Sequence, residues 1–196
     1  MASGSSADAF AGISLTRDRL DRLASRVRST TDETIAVEAP ATTDRIGTVP
    51  ACTESAVDTA VAAARDAHPG WAAMSVDRRA AIIDRFSDLV VDHRTELLDL
   101  LQLETGKSRQ TAAEGLFSVP SACDQAVDRG PDAVADEPRN GGIPLLTTAK
   151  VTYDPVGVVG VISPWNYPVT LSMADVIPAL VAGNSVVLKP DEKTPY

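Results

Sequence analysis

The chain has 196 residues and 20.6 kDa, with 18 Lys and Arg against 27 Asp and Glu for a net charge of −9, and 44% of it is apolar. That is enough apolar content for a core and excludes a wholly disordered chain, while the length is short of two full domains at roughly 150 residues each. The acidic balance argues against nucleic acid or an anionic membrane as partner, since both select clustered Lys and Arg. Cys52 and Cys123, with His68 and His93, have neither metal-ligand spacing nor a disulfide framework. The first ten residues lack the cation and apolar core of a signal peptide, and no apolar run approaches the ~20 residues of a membrane span. The expectation is a cytoplasmic protein. Of the acids 19 are Asp and 8 Glu, and of the bases 14 are Arg and 4 Lys. Such a surface suits a salt-adapted protein, and it equally suits an acidic protein from a GC-rich genome.

Residues 1–30 read as a polar N-terminal extension. Its first dozen residues are expected to be a loose tail, and Ile13, Leu20, Leu23 and Val27 form the stripe of a short helix. Residues 34–37 are a short β-like run, and 40–50 read as turns, with Gly47 between Pro40 and Pro50. Thr53 is a helix N-cap before Val57, Ala60, Val61 and Ala64, and that helix is expected to stop near His68-Pro69-Gly70, leaving Trp71 in the connection. Ser75 caps a second helix carrying Ile82, Ile83, Phe86, Leu89 and Val90. A third, with Leu97, Leu98, Leu100 and Leu101, runs to about Leu103 and closes at Glu104-Thr105-Gly106-Lys107 with Gly in the C′ position. A fourth runs from Ser108 toward Ala126, where Pro120 should kink or divide it.

Residues 129–144 read as a surface loop or a crossing between substructures, and 147–153 as a strand. Residues 156–162 and 185–188 are apolar without alternation, as in a parallel sheet covered on both faces, and 171–181 between them is helical. Together they make one βαβ unit, so the fold class is α/β. The segments following the two strands, 163–168 and 189–193, then lie at one carboxyl edge, where open α/β sheets bind ligands.

Asn166 stands at that edge in the loop Pro164-Trp165-Asn166-Tyr167-Pro168. Its amide is a neutral hydrogen-bond donor suited to an oxyanion, and Asn is also a common turn residue. At the next strand end, in Lys189-Pro190-Asp191-Glu192, the Lys189 ammonium and Glu192 carboxylate suit the hydroxyls of a nucleotide ribose. The same charges equally make a solvated cluster with Lys193.

The stretch from Val156, "VGVVGVISPWNYPVTLSMADVIPALVAGNSVVLKPDEKTPY", resembles the aldehyde dehydrogenase superfamily. It carries in order the P-W-N-x-P loop, the Ala-Leu-x-x-Gly-Asn helix end, the V-V-x-K-P strand end and a T-P pair. "VEAPATTDRIGTVP", "RRAAIIDRFSDLV" and "LETGKSRQTAAE" extend the resemblance to residues 33–196. The resemblance implies a Rossmann-like parallel sheet with helices in an incomplete NAD(P)-binding domain, residues 31–138 and 155–196. It also implies the start of an oligomerisation arm at 139–154, with the catalytic domain absent. Asn166 matches the family's oxyanion asparagine. Ser163, Pro164 and Trp165 match positions lining the cofactor groove, and Lys189 and Glu192 match the pair holding the adenosine ribose, with Asp191 counted in the same cofactor-binding set. Glu104, Gly106 and Lys107 match a motif read as structural.

The family's nucleophilic cysteine and general-base glutamate lie downstream of anything in this sequence, and Cys52 and Cys123 match neither. The implied activity is oxidation of a small aldehyde to its acid with NAD(P) by a homo-oligomer when full length, without metal, nucleic acid or membrane. The sequence looks most like the succinate-semialdehyde dehydrogenase group, and the 196 residues alone are expected to be inactive. The alternatives are a CoA-acylating semialdehyde dehydrogenase and a non-catalytic remnant that only associates with other subunits. NAD is favoured over NADP because a 2′-phosphate beside Glu192 sets like charges ~4 Å apart, worth roughly 4 kcal/mol at an effective dielectric of 20.

Overall fold

A computed structural model describes residues 8–143 and 146–196. The elements run α1 (Arg17–Ala24), β1 (Thr34–Glu38), β2 (Arg45–Pro50), α2 (Glu54–Ala72), α3 (Val76–Asp92), α4 (Arg94–Thr105), α5 (Arg109–Ala133), β3 (Glu137–Asn140), β4 (Thr148–Val151), β5 (Val158–Ile162), α6 (Pro168–Val181) and β6 (Ser185–Lys189). None of the described helices is long and apolar enough to cross a membrane. The strands form three pairs, β1 with β2 and β3 with β4 antiparallel, and β5 with β6 parallel.

Four helices begin where their caps require. The hydroxyls of Thr16, Thr53, Ser75 and Ser108 each accept from a backbone amide three residues on. Gly106 ends α4 at φ 69°, a left-handed conformation that costs a side chain about 1–2 kcal/mol. The next helix begins three residues later, so Lys107 is the middle residue of the three-residue connection, Gly106 to Ser108, between α4 and α5.

Two apolar cores share one wall. Ile83 and Val90 of α3, Leu116 and Val119 of α5 and Ile177 and Val181 of α6 close the first. Leu20 of α1, Val37 of β1 and Ile46 of β2 close the second. Helix α4 gives Leu98 and Leu101 to the first and Leu100 and Leu103 to the second, which explains why leucines surround it. Residues 8–30 are therefore partly anchored, with Leu15 and Leu20 buried; of the expected loose tail, residues 1–7 lie outside the described residues.

The structure departs from the sequence reading at several places. Residues 45–50 are a strand, not turns, because β1 supplies a pairing partner from Thr34↔Pro50 to Glu38↔Arg45. Helix α2 runs through Pro69 and Trp71 to Ala72, held by partners distant in sequence. Trp71 Nε1 donates to the Leu180 carbonyl (2.8 Å), and the buried Arg79 guanidinium donates to the carbonyls of Ala72, Met74 and Val181. Helix α5 is one element through Pro120, packed against α3, α4 and α6, and it ends at Ala133, inside the expected loop. Residues 137–140 and 148–151 then form a hairpin, and Pro168 opens α6 rather than closing a loop. Pro144 and Leu145 of the expected arm lie outside the described residues.

Candidate active site

Strands β5 and β6 end in register, Ile162 opposite Lys189, and the Ser163 amide extends the ladder by donating to the Lys189 carbonyl (3.0 Å). The loops 163–167 and 190–193 therefore leave the sheet side by side at its carboxyl edge, as the βαβ reading requires. Both β5 and β6 pack against α2 and α6, which fixes this edge relative to the helices.

Ser163 is 5% exposed, and its hydroxyl donates to the Pro168 carbonyl (3.0 Å), so it shapes the loop from within. Pro164, Trp165 and Asn166 follow it on the surface. The Asn166 side-chain amide has no hydrogen-bond partner among the described residues and is available to a ligand. Its backbone carbonyl is held by the Lys107 ammonium, which also lies over the Tyr167 ring, 3.4 Å from the centroid. Burial lowers the Lys107 pKa. Gly115 lets α5 approach this loop closely, since a Cβ there would stand 3.3 Å from Thr170 Oγ1 and 3.5 Å from the Tyr167 ring. The Thr170 hydroxyl in turn donates to the Gly115 carbonyl (2.9 Å).

At the second strand end, Lys189 and Glu192 are exposed, and Lys189 Nζ donates to the Pro190 carbonyl (3.0 Å). Asp191 is engaged by its own turn: its carboxylate accepts from the Lys193 amide (3.0 Å) and its carbonyl from the Thr194 amide (3.2 Å). Among the described residues none of Lys189, Asp191, Glu192 and Lys193 enters an ion pair. Lys193 instead lies over the Trp165 indole, 5.2 Å from its centroid. Lys189 keeps donors and Glu192 keeps acceptors for a vicinal diol, with the half-exposed face of Trp165 close by, so this donor set fits a nucleotide cofactor.

A cleft of about 450 Å³ opens beside these loops, lined by Trp165, Glu192, Lys193 and Thr194 on one side and by β1 and Glu104 on the other. Asn166 and Lys189 stand outside it. Glu104 is 5% exposed, and burial pushes its pKa up to about 8, partly opposed by the hydrogen bond it accepts from the Tyr196 amide (2.9 Å). Glu104 and Lys107 belong to a motif whose helix-ending glycine was a sufficient reason for it in sequence. What the sequence did not disclose is that both flank the site. No local signal marks Lys107 for the site, because its contact with the Asn166 loop spans 59 residues of sequence.

Neither cysteine joins the edge. Cys123 is buried in the first core, where burial raises its thiol pKa, and Cys52 precedes α2, its Sγ donating to the Arg28 carbonyl (3.5 Å).

The sequence pattern described as aldehyde dehydrogenase family matches residues 27–196. A protein of Mycobacterium tuberculosis named "Putative succinate-semialdehyde dehydrogenase", with NADP(+) in its name, is 42% identical over 179 residues, 91% of this chain and 35% of its own length. A likewise named protein of Mycolicibacterium smegmatis is 46% identical over 149 residues, 76% of this chain and 29% of its own. The crystal structure of an NAD-dependent benzaldehyde dehydrogenase from Corynebacterium glutamicum superposes with a TM-score of 0.79 at 33% identity, over 86% of this chain and 36% of that one. The chain thus spans about a third of the length of the proteins it resembles.

Proposed function

Since this chain belongs to the aldehyde dehydrogenase family, we propose that the protein from its complete gene oxidises succinate semialdehyde to the acid with a nicotinamide cofactor. The observation that carries the reading is the pairing of two features at one sheet edge: an unpartnered Asn166 amide, and a Lys189 and Glu192 pair free of ion-pair partners. The substrate class rests on the names of the relatives.

Lys189 donates to, and Glu192 accepts from, the hydroxyls of the cofactor's ribose, and Trp165 covers its side of the groove. When bound, the nicotinamide supplies the hydride acceptor. Asn166 donates its amide to the aldehyde oxygen as a thiolate, contributed from outside this chain, adds to the carbon and its negative charge passes to that oxygen. A neutral amide does this without titrating.

Glu192 still weights the choice toward NAD, but its exposure shrinks the repulsion of a 2′-phosphate toward about 1 kcal/mol, the value for charges ~4 Å apart in water. The neighbouring Lys189 offsets part of that. We therefore assign a several-fold preference in kcat/KM for NAD with NADP also accepted, the acceptance of NADP drawing on the relatives' names, which carry NADP(+).

The β3–β4 hairpin, with Leu146 80% and Tyr153 47% exposed, is the subunit contact we assign, to be checked by the oligomeric mass before and after Leu146→Asp. The main test is reduced-cofactor formation by the complete gene product with succinate semialdehyde. Asn166→Ala should lower kcat about 10²–10³-fold, as loss of an oxyanion donor does. Retained kcat in Asn166→Ala removes the reading. Product formed only with coenzyme A would mean an acylating enzyme, and no oxidation of any aldehyde would favour a non-catalytic role.

A further inference from the structure

We propose that Lys107 is a positioning residue for Asn166, an inference that rests on the reading of Asn166 as the oxyanion donor. The loop bearing Asn166 is exposed from Pro164 to Tyr167, so little packing of its own fixes the backbone there. Lys107 reaches it from a separate element, across 59 residues of sequence, and makes two contacts with consecutive loop residues: a hydrogen bond to the Asn166 carbonyl and a cation–π contact with Tyr167. A bond to the carbonyl restrains ψ of Asn166, and a clamp on the next side chain restrains the peptide that follows. The amide of Asn166 is thereby presented from a backbone pinned on both sides, while no described residue occupies the amide itself.

The base of the clamp is rigid. Gly106 caps α4, Ser108 caps α5, and the Lys107 amide donates to Thr105 Oγ1 (3.3 Å), so the lysine backbone has little freedom. Lys107, Gly115, Tyr167 and Thr170 line one narrow seam between α5 and the start of α6. No carboxylate among the described residues pairs with Lys107 within 4.0 Å, so its charge has no ion-pair role that would account for it. A salt-bridged lysine would be explained by stability; this one has its donor and its charge directed at the loop.

The test uses the complete gene product with Lys107→Met, which keeps the chain length and removes donor and charge, and Lys107→Arg, which restores both. Lys107→Met should lower kcat about 10–100-fold, the scale of an ångström-sized misplacement, with NAD(P) affinity by tryptophan-fluorescence titration unchanged within twofold. Lys107→Arg should recover most of that kcat. Lys107→Met combined with Asn166→Ala should be no slower than Asn166→Ala alone, because a positioning residue has nothing left to position.

Wild-type kcat in Lys107→Met, or a multiplicative loss in the double variant, overturns the proposal while leaving Asn166 in its role. Retained activity in Asn166→Ala overturns the reading beneath it instead. Equal falls in kcat and cofactor affinity would mark Lys107 as merely structural and also overturn it. Should Lys107→Met not fold, Lys107→Gln and Tyr167→Leu carry the same comparison, and full kcat in both counts against the clamp.

Discussion

Glu104 holds a carboxyl at 5% exposure with one hydrogen bond, from the Tyr196 amide, and its pKa is pushed up to about 8. In the folded protein it keeps a proton that the unfolded chain releases above the ordinary carboxylate range, near 4.3. The folded state therefore binds more protons than the unfolded one between those two values. The stability this group confers is complete below about pH 4, declines as pH rises, and levels off above about pH 8. Urea midpoints measured from pH 5 to 8.5 should fall in the wild type, and Glu104→Gln should flatten that slope. An unchanged slope would mean Glu104 is charged in the fold. Asp99 runs the other way. Burial alone would raise its pKa, but the Ser14 hydroxyl and amide and the Arg109 guanidinium together lower it, so its contribution is present at neutral pH and lost in acid.

Among the elements, the most consequential junction is where α2 and α6 end together. Arg79 is 6% exposed and donates to three carbonyls, of Ala72, Met74 and Val181, and α6 then leads directly into β6 and Lys189. Removing the guanidinium takes the donor from one buried and two part-buried carbonyls, and a buried group left unpaired costs about 1–3 kcal/mol. Arg79→Ala should destabilise the protein by roughly 3 kcal/mol by denaturant unfolding, and a loss below about 1 kcal/mol would show that water replaces the arginine. At the α4 terminus, Gly106→Ala meets both a left-handed φ of 69° and the Pro40 ring, 3.1 Å from the added Cβ. A loss of about 1–2 kcal/mol is expected there, and because Lys107 follows immediately, kcat should fall with it.

Across the whole molecule, both faces of the β5–β6 sheet, and Val156 just before β5, leave apolar side chains at the surface. Val156 is 83% exposed, Ile162 81% and Leu188 39%. Only two strands make this sheet among the described residues, and its edges are open to pairing. Residues 1–196 expressed alone should associate and show no aldehyde oxidation, since neither thiol is at the Asn166 edge. Ile162→Thr with Leu188→Thr should reduce the sedimenting fraction. Aggregation unaffected by that pair would place the adhesive surface elsewhere, and oxidation lost on Cys52→Ala would give the chain a nucleophile of its own.

Much of this protein follows from its sequence alone, because caps and periodicity act over a few residues. Thr53, Ser75 and Ser108 start helices, Gly106 ends one, and two unalternating runs joined by a helix make the parallel pair that brings Asn166 and Lys189 to one edge. Tertiary structure decided what depends on partners far away in the chain. Residues 45–50 became a strand because β1 was there to pair with them, and α2 passed Pro69 because Trp71 and Arg79 reach carbonyls around 100 residues away. Asp191 turned to its own loop and Ser163 to the Pro168 carbonyl, leaving Lys189, Glu192, Trp165 and Asn166 open to ligands. The proton on Glu104 and the grip of Lys107 on Asn166 exist only after folding, since desolvation and a contact across 59 residues have no local signature.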